Sequence, residues 1–131
     1  MTTRNRVVVE AERRKRSAVE LISILVLVLP DEEDPDRSRY DGDGDEREQA
    51  YRRGEFSFIG VRAEAEIVVD GVIQTITSGG LWGIESDSDD TYIKEIGDHE
   101  YTDLRKILKT LGVPTSELPT EVKKNQIEWR V

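Results

Sequence analysis

The sequence predicts an α+β protein, in which a small antiparallel β-sheet of three to five strands packs against C-terminal helices spanning about residues 87–111. Apolar and polar residues alternate through the hairpin segment 55–78, which is typical of paired strands with one buried face. From residue 86 onward, apolar residues recur at helical spacing instead. A chain of 131 residues has the length of one domain, here with a polar end at 1–6 and an acidic loop at 30–49.

The first half of the chain contains two segments rich in β-branched residues. Val7–Glu12 is a candidate strand, followed at 13–17 by a turn or a charged helical turn. Val19–Leu29 is a continuous apolar run ended by a proline, which is typical of a buried central strand, although a run without a period leaves a helix open. Beyond the acidic loop, a short helix is predicted from Asp45 to Arg53, with Gly54 as its C-terminal stop.

The hairpin prediction depends on Asp70 and Gly71, which stand between two β-rich runs. An Asp-Gly pair in this position is the strongest short signal for a tight hairpin turn. The alternation slips by one residue at Ile59 and Gly60, which we interpret as a β-bulge at a glycine. Five residues of this region are expected to contribute to the core: Phe56, Phe58, Ile67, Val72 and Ile76.

Two helices are predicted after the hairpin, Asp87–Ile96 and Asp98–Leu111, because Gly97 interrupts the periodicity and Asp98 is a good N-cap. Alternation in Gln126–Val131 predicts a final strand. The predicted helical stripe that faces the core contains Ile93, Ile96, Gly97, Tyr101, Leu104, Ile107, Leu108 and Leu111.

The net charge of −9 is distributed in blocks. Residues 1–16 carry a net charge of +4, whereas residues 31–48 and residues 85–103 each carry −7. Acidic blocks repel phosphate, so direct binding of nucleic acid by the main body is not expected.

Several classes of protein and site are disfavoured by composition. The chain has no cysteine, which excludes disulfides and thiolate metal sites, and it has a single histidine, His99, which is predicted to be exposed on a helix. The longest apolar run, Leu21–Pro30, is about half of the ~20 residues that a membrane-spanning helix needs. Without a signal peptide or a catalytic signature, we expect a soluble cytoplasmic protein with no membrane partner, no catalytic residues and no cofactor.

The stretch TSGGLWGIESDSDDTY, residues 77–92, joins the hairpin to the helices. Gly79 and Gly80 permit a change of backbone direction, Trp82 is predicted to be buried at the sheet–helix junction, and Ser86 is the expected N-cap. Three acids then fall in the first helical turn, where carboxylates complement the helix dipole: Asp87, Asp89 and Asp90.

Two acidic clusters are weak candidates for a Ca²⁺ or Mg²⁺ site, because these cations prefer oxygen ligands. The first cluster contains Glu85, Asp87, Asp89 and Asp90. The second contains Asp41, Asp43 and Asp45. This second cluster matches the first ligands of an EF-hand loop, but it has Glu46 where the sharp turn needs glycine and Arg52 where the closing glutamate belongs. A solvated acidic loop is the interpretation that we favour.

The segment Phe58–Gly97, and within it the core TSGGLWGIESDSDD at Thr77–Asp90, resembles a block found in small uncharacterised proteins of bacteriophages and related mobile elements. This family has no assigned activity and no assigned site residues. The resemblance implies a small inhibitor or adaptor that acts on host machinery.

The two acidic blocks therefore predict a non-enzymatic interaction protein with a protein partner. Its acidic surface would occupy a basic nucleic-acid-binding surface and so imitate nucleic acid, as anti-restriction or anti-CRISPR inhibitors do. The predicted binding residues are Asp87, Asp89, Asp90, Glu95, Asp98 and Asp103. A carboxylate-based cation-binding protein or metal-dependent enzyme, a structural or assembly protein, and acidity that only maintains solubility stay open, as does the oligomeric state.

Overall fold

A computed structural model describes residues 19–31 and 46–131. The predictions for Val7–Glu12, for residues 13–17 and for the acidic cluster at residues 41–45 lie outside these ranges. The described elements are, in chain order, β1 (Glu20–Pro30), α1 (Glu46–Arg52), β2 (Phe58–Val69), β3 (Val72–Thr77), β4 (Leu81–Glu85), α2 (Asp90–Thr110), a 3₁₀ turn (Lys124–Gln126) and β5 (Ile127–Trp129). The predicted α+β class is confirmed.

The sheet has the strand order β3-β2-β1-β5, and β4 also pairs with β2. Strands β1 and β3 are antiparallel to β2, as predicted, and so is β4, which was not predicted as a strand. The short β5, however, is parallel to β1, so the sheet is mixed rather than purely antiparallel. The chain reaches this far edge only after α2 and the segment that follows it, and a long connection of this kind permits parallel pairing.

The hairpin of β2 and β3 has the predicted two-residue turn. Asp70 and Gly71 both have positive φ, 50° and 79°, as a type I′ turn requires. The predicted bulge within β2 is wrong. Alternate residues from Ile59 to Ile67 face the core without a slip, and the irregularity lies on β4, where two residues stand opposite Gly60.

The main core lies between α2 and one face of the sheet. It contains Val26 and Val28 from β1, alternate residues of β2, and the buried stripe of α2. The prediction of two helices is wrong, because α2 runs without interruption through Gly97. A Cβ at Gly97 would lie 3.3 Å from Val26 Cγ1, so this glycine provides close approach of the helix to β1 rather than a break.

The opposite face of the sheet carries a second, smaller cluster under α1. Phe56 and Phe58 pack there against Ala50 and Tyr51, with the Tyr51 and Phe58 ring centroids 5.1 Å apart. Phe56 and Phe58 are therefore buried, as predicted, although in this second cluster, whereas the prediction for Val72 is wrong because it is exposed on the edge strand. Helix α1 ends near the predicted position.

Trp82 is 40 % exposed, which contradicts its predicted burial between sheet and helix. The β4 irregularity places its ring over Gly60, on the face of the sheet opposite α2. A Cβ at Gly60 would lie 2.0 Å from Trp82 Cε3, so only glycine leaves room for the ring. The indole Nε1 donates to the carbonyl of Gly79 at 3.3 Å. The tryptophan thus covers a glycine in a strand, a device that compensates for the missing side chain.

We expect Gly60→Ala to destabilise the protein by about 1–3 kcal/mol, the usual effect of overpacking. The cause is collision with Trp82, so in a Trp82→Ala background the same substitution should cost less than about 0.5 kcal/mol. Denaturant unfolding of the two single variants and the double variant measures both effects.

Gly79→Ala provides the matched control, because a Cβ at Gly79 meets no atom within 4 Å. It should change the free energy of unfolding by less than about 0.5 kcal/mol. Equal destabilisation by Gly60→Ala with and without Trp82 would contradict the packing assigned to these residues.

Candidate functional site

The segment between β4 and α2, residues 86–89, is called the β4–α2 loop. It is held by the hairpin and by its own side chains. Ser86 does not cap the helix as predicted: its backbone N–H donates to Ser57 O at 2.8 Å, and its hydroxyl accepts from Ser57 N at 2.9 Å. The N-cap is Asp89, whose Oδ1 accepts from Thr91 N at 2.7 Å. Asp89 therefore satisfies one of the unpaired amides at the start of α2.

Arg47 of α1 binds two of the predicted site residues, Glu85 and Asp87. Its Nη1 and Nη2 donate to the two oxygens of Asp87 at 3.0 and 2.8 Å, and its Nε donates to Glu85 Oε2 at 2.8 Å. The guanidinium also lies 4.0 Å from the centroid of the Phe56 ring. The hydrogen bonds that Arg47 donates lower the pKa of Asp87, and the same bonds to Asp87 and Glu85 raise the pKa of Arg47.

Asp98 connects α2 to the C-terminal segment. Its Oδ1 accepts from the backbone N–H of Val122, and its Oδ2 from Lys94 Nζ, both at 2.9 Å. Lys94 also donates to Glu121 at 3.3 Å, and its pKa is raised, chiefly by the hydrogen bond to Asp98. The role of Asp98 is therefore to position the segment that leads into β5, and the predicted N-cap at this residue is wrong.

Glu100 forms the buried polar contact between α2 and the glycine-rich turn. The residue is only 9 % exposed, and its Oε1 accepts from Ser78 Oγ at 2.8 Å and from Gly80 N at 2.6 Å. The Ser78 hydroxyl accepts in turn from Ala63 N at 2.9 Å. If β3 continued through Ser78, the backbone carbonyl of this residue would accept that hydrogen bond instead. The chain can therefore leave the ladder after β3, turn at Gly80, whose φ is 83°, and rejoin the same edge of β2 as β4.

Three predicted binding residues, Asp90, Glu95 and Asp103, are exposed on the surface of α2. Glu95, His99 and Asp103 follow one another at four-residue spacing and share one helix face, which Asp90 does not join. The six predicted binding residues thus do not form one surface. Asp87, Asp89 and Asp98 hold local structure, and the other three point carboxylates at solvent.

The structure describes only one of the two clusters of cation-site candidates. Within residues 19–31 and 46–131, no group of three or more acidic or histidine side chains is arranged to hold a metal ion. Arg47 already places a positive charge between the carboxylates of Glu85 and Asp87. The candidates Asp41, Asp43 and Asp45 lie outside the described residues.

Comparisons of this chain with protein families, with curated proteins and with solved structures found no match. The resemblance of Thr77–Asp90 to small phage-encoded proteins therefore stays a prediction. In the part of the chain that the structure describes, no helix has both the length and the apolar character needed to span a lipid bilayer.

Sequence reasoning missed the roles of Arg47 and Glu100. Arg47 lies 38 and 40 residues from its two partners, and no local pattern signals such a contact. Glu100 gave a usable signal, because it stands in the apolar stripe between Ile96 and Leu104. A charged residue at a core position indicates a buried hydrogen-bond partner.

Arg47→Met should raise the pKa of Asp87 toward its ordinary value, because it removes the hydrogen bonds that lower it. A depressed carboxyl pKa stabilises the fold above the unfolded-state value of about 3.9, and this stabilisation is lost as pH falls through the folded-state pKa. The stability difference between wild type and Arg47→Met should therefore be constant near neutral pH and shrink in acid. Carboxyl NMR titration and unfolding curves at several pH values measure these two effects.

Arg52→Met is the matched control, since this arginine of the same helix pairs with Glu48 and not with Glu85 or Asp87. It should leave the titration of Asp87 unchanged. An Asp87 midpoint that is the same in wild type and in Arg47→Met would rule out the assigned contact.

Proposed function

We propose that this chain is a non-enzymatic interaction protein that binds a basic surface on a protein partner through the exposed carboxylates of α2. The observation that carries the proposal is that the acids of residues 85–103 form two groups, one exposed and one hydrogen-bonded within the fold. Asp90, Glu95 and Asp103 are exposed on a helix whose other acids hold the fold. Exposed charges that complement a partner's charges accelerate association and select the partner.

The rigidity of α2 supports this proposal. Its inner face is buried in the main core, and Asp98 and Glu100 fix the helix to the segments on either side of it. Carboxylates on an anchored helix lose less conformational entropy on binding than carboxylates on a mobile loop. The helix is therefore a better platform for recognition than its small charge alone would suggest.

Imitation of nucleic acid is the narrower form of the proposal. Asp90 and Asp103 are separated by roughly 20 Å along the helix, at 1.5 Å per residue. Three exposed carboxylates over this length are about half the charge density of one DNA strand, which carries a phosphate every ~3.4 Å. Lys106 and Lys109 are also exposed in the last turns. The spacing thus favours separate acidic contacts with a basic protein surface over a continuous phosphate-like track.

A cation-dependent function has less support. Arg47 already offsets the negative charges of Glu85 and Asp87, so these two carboxylates need no cation to do so. The resemblance to phage proteins is consistent with a cytoplasmic partner in a host cell and identifies none.

The test is affinity capture from an extract of the source cells, with partners identified by mass spectrometry. The variant carries Asp90→Lys, Glu95→Lys and Asp103→Lys, which reverse exposed charges and spare Arg47, the N-cap and Glu100. A control with the same change of charge carries Glu20→Lys, Glu66→Lys and Glu117→Lys, all at exposed positions outside the acidic block. Circular dichroism verifies that both variants are folded.

We expect capture by wild type and by the control, and loss of capture by the α2 variant. Binding should weaken steeply between about 0.05 and 0.5 M salt, because screening acts on exposed charges. Displacement of the partner by added DNA or RNA would support the narrower form. A partner that stays bound to the α2 variant and at high salt would contradict the proposal.

A further inference from the structure

Strand β3 is an edge of the sheet that the described residues form. It pairs with β2 along one side, and among the described residues no strand pairs with its other side. Five of its six residues are exposed, with Val72 at 56 % and Ile73 at 62 %. The backbone groups on this side are therefore available to another strand.

The sequence of β3, VIQTIT, lacks the usual protection of an edge. Natural edge strands carry charges, prolines or bulges that prevent pairing with other chains. This strand has none of them, and its β-branched residues have high strand propensity. A neutral segment is unusual in a protein of which 36 % of the residues are charged. The edge therefore has the properties of a surface that pairs.

We propose that β3 pairs with β3 of a second copy, in an antiparallel arrangement with a twofold axis at Gln74. Residues opposite each other in an antiparallel pair must project to the same face of the sheet. With the axis at Gln74, Val72 lies opposite Ile76 on the α2 face, and Ile73 lies opposite Thr75 on the other. An axis at Thr75 would instead place Gln74 opposite the apolar Ile76.

The register around Gln74 and the neutrality of β3 together favour a second copy as the occupant. Each chain has a net charge of −9, so most contacts between two copies would place like charges together. Self-pairing of β3 places none opposite one another, because the strand is neutral along its whole length. Like charges directly opposite in a ladder destabilise it, and this edge avoids that cost.

A twofold axis perpendicular to the sheet has a consequence for the arrangement of the copies. It places both α2 helices on the same side of the continuous sheet, so the pair presents two acidic faces in one direction. Bivalent binding of a basic partner would follow. That consequence rests on the proposed function, whereas the pairing itself does not.

Sedimentation velocity of the purified full chain tests the pairing without any partner, so its result is separate from that of the capture experiment. Wild type should form a species of twice the 14.9 kDa chain mass as its concentration rises toward about 0.5 mM, a range suited to a small interface. Gln74→Lys and Gln74→Glu should each abolish the dimer, because equal charges then meet at the axis. Gln74→Thr, which is neutral, should retain it.

An equimolar mixture of the Gln74→Lys and Gln74→Glu variants should restore a dimer of one copy of each, because opposite charges then face each other. Thermal melts should show all variants folded, since Gln74 is exposed. A wild-type chain that stays monomeric overturns the proposal. A dimer that survives both charged variants, or a mixture that fails to associate, also overturns it.

Discussion

The packing of α2 across β1 and β2 is the interaction on which the rest of the structure depends. It buries alternate residues of both strands and one stripe of the helix, and it includes most of the fully buried large side chains of the described residues. At about 25 cal/mol per Å² of apolar surface, a contact of this kind is the main favourable term in folding. Polar side chains then attach the glycine-rich turn, the β4–α2 loop and the C-terminal segment to this unit.

That dependence explains why the acids of residues 85–103 fall into two groups, one hydrogen-bonded and one exposed. Backbone amides at the start of a helix, and in segments outside helix and sheet ladders, lack ladder partners, and hydrogen bonds from them stabilise a carboxylate. Asp89 receives such a bond at the helix start, Asp98 from the C-terminal segment and Glu100 from the glycine turn. Acids on the outer face of the same helix have no such neighbours and remain exposed, where the proposed function places the contacts with a partner. A charge count along the sequence cannot separate these two groups, because both have the same composition.

Local sequence patterns predicted the elements whose structure depends on neighbouring residues in the chain. The Asp70-Gly71 turn and the apolar run of β1 were evident because turn chemistry and a buried central strand leave short, specific signals. Gly97 was misread as a break because its reason, contact with Val26, lies 71 positions away in the chain. Trp82 was misplaced because the irregularity on β4 decides which face its ring covers. The parallel pairing of β5 likewise depends on the path of the chain after α2.

The central claim is that carboxylates of α2 hold the surrounding segments to the core. Native-state hydrogen exchange of two backbone amides tests it most directly: Gly80, which donates to Glu100, and Val122, which donates to Asp98. Both lie outside the ladders of helix and sheet, yet the account predicts protection comparable to that of α2 itself. It predicts fast exchange at their exposed neighbours Gly79 and Thr120. Exchange at Gly80 and Val122 as fast as at these neighbours would contradict the account.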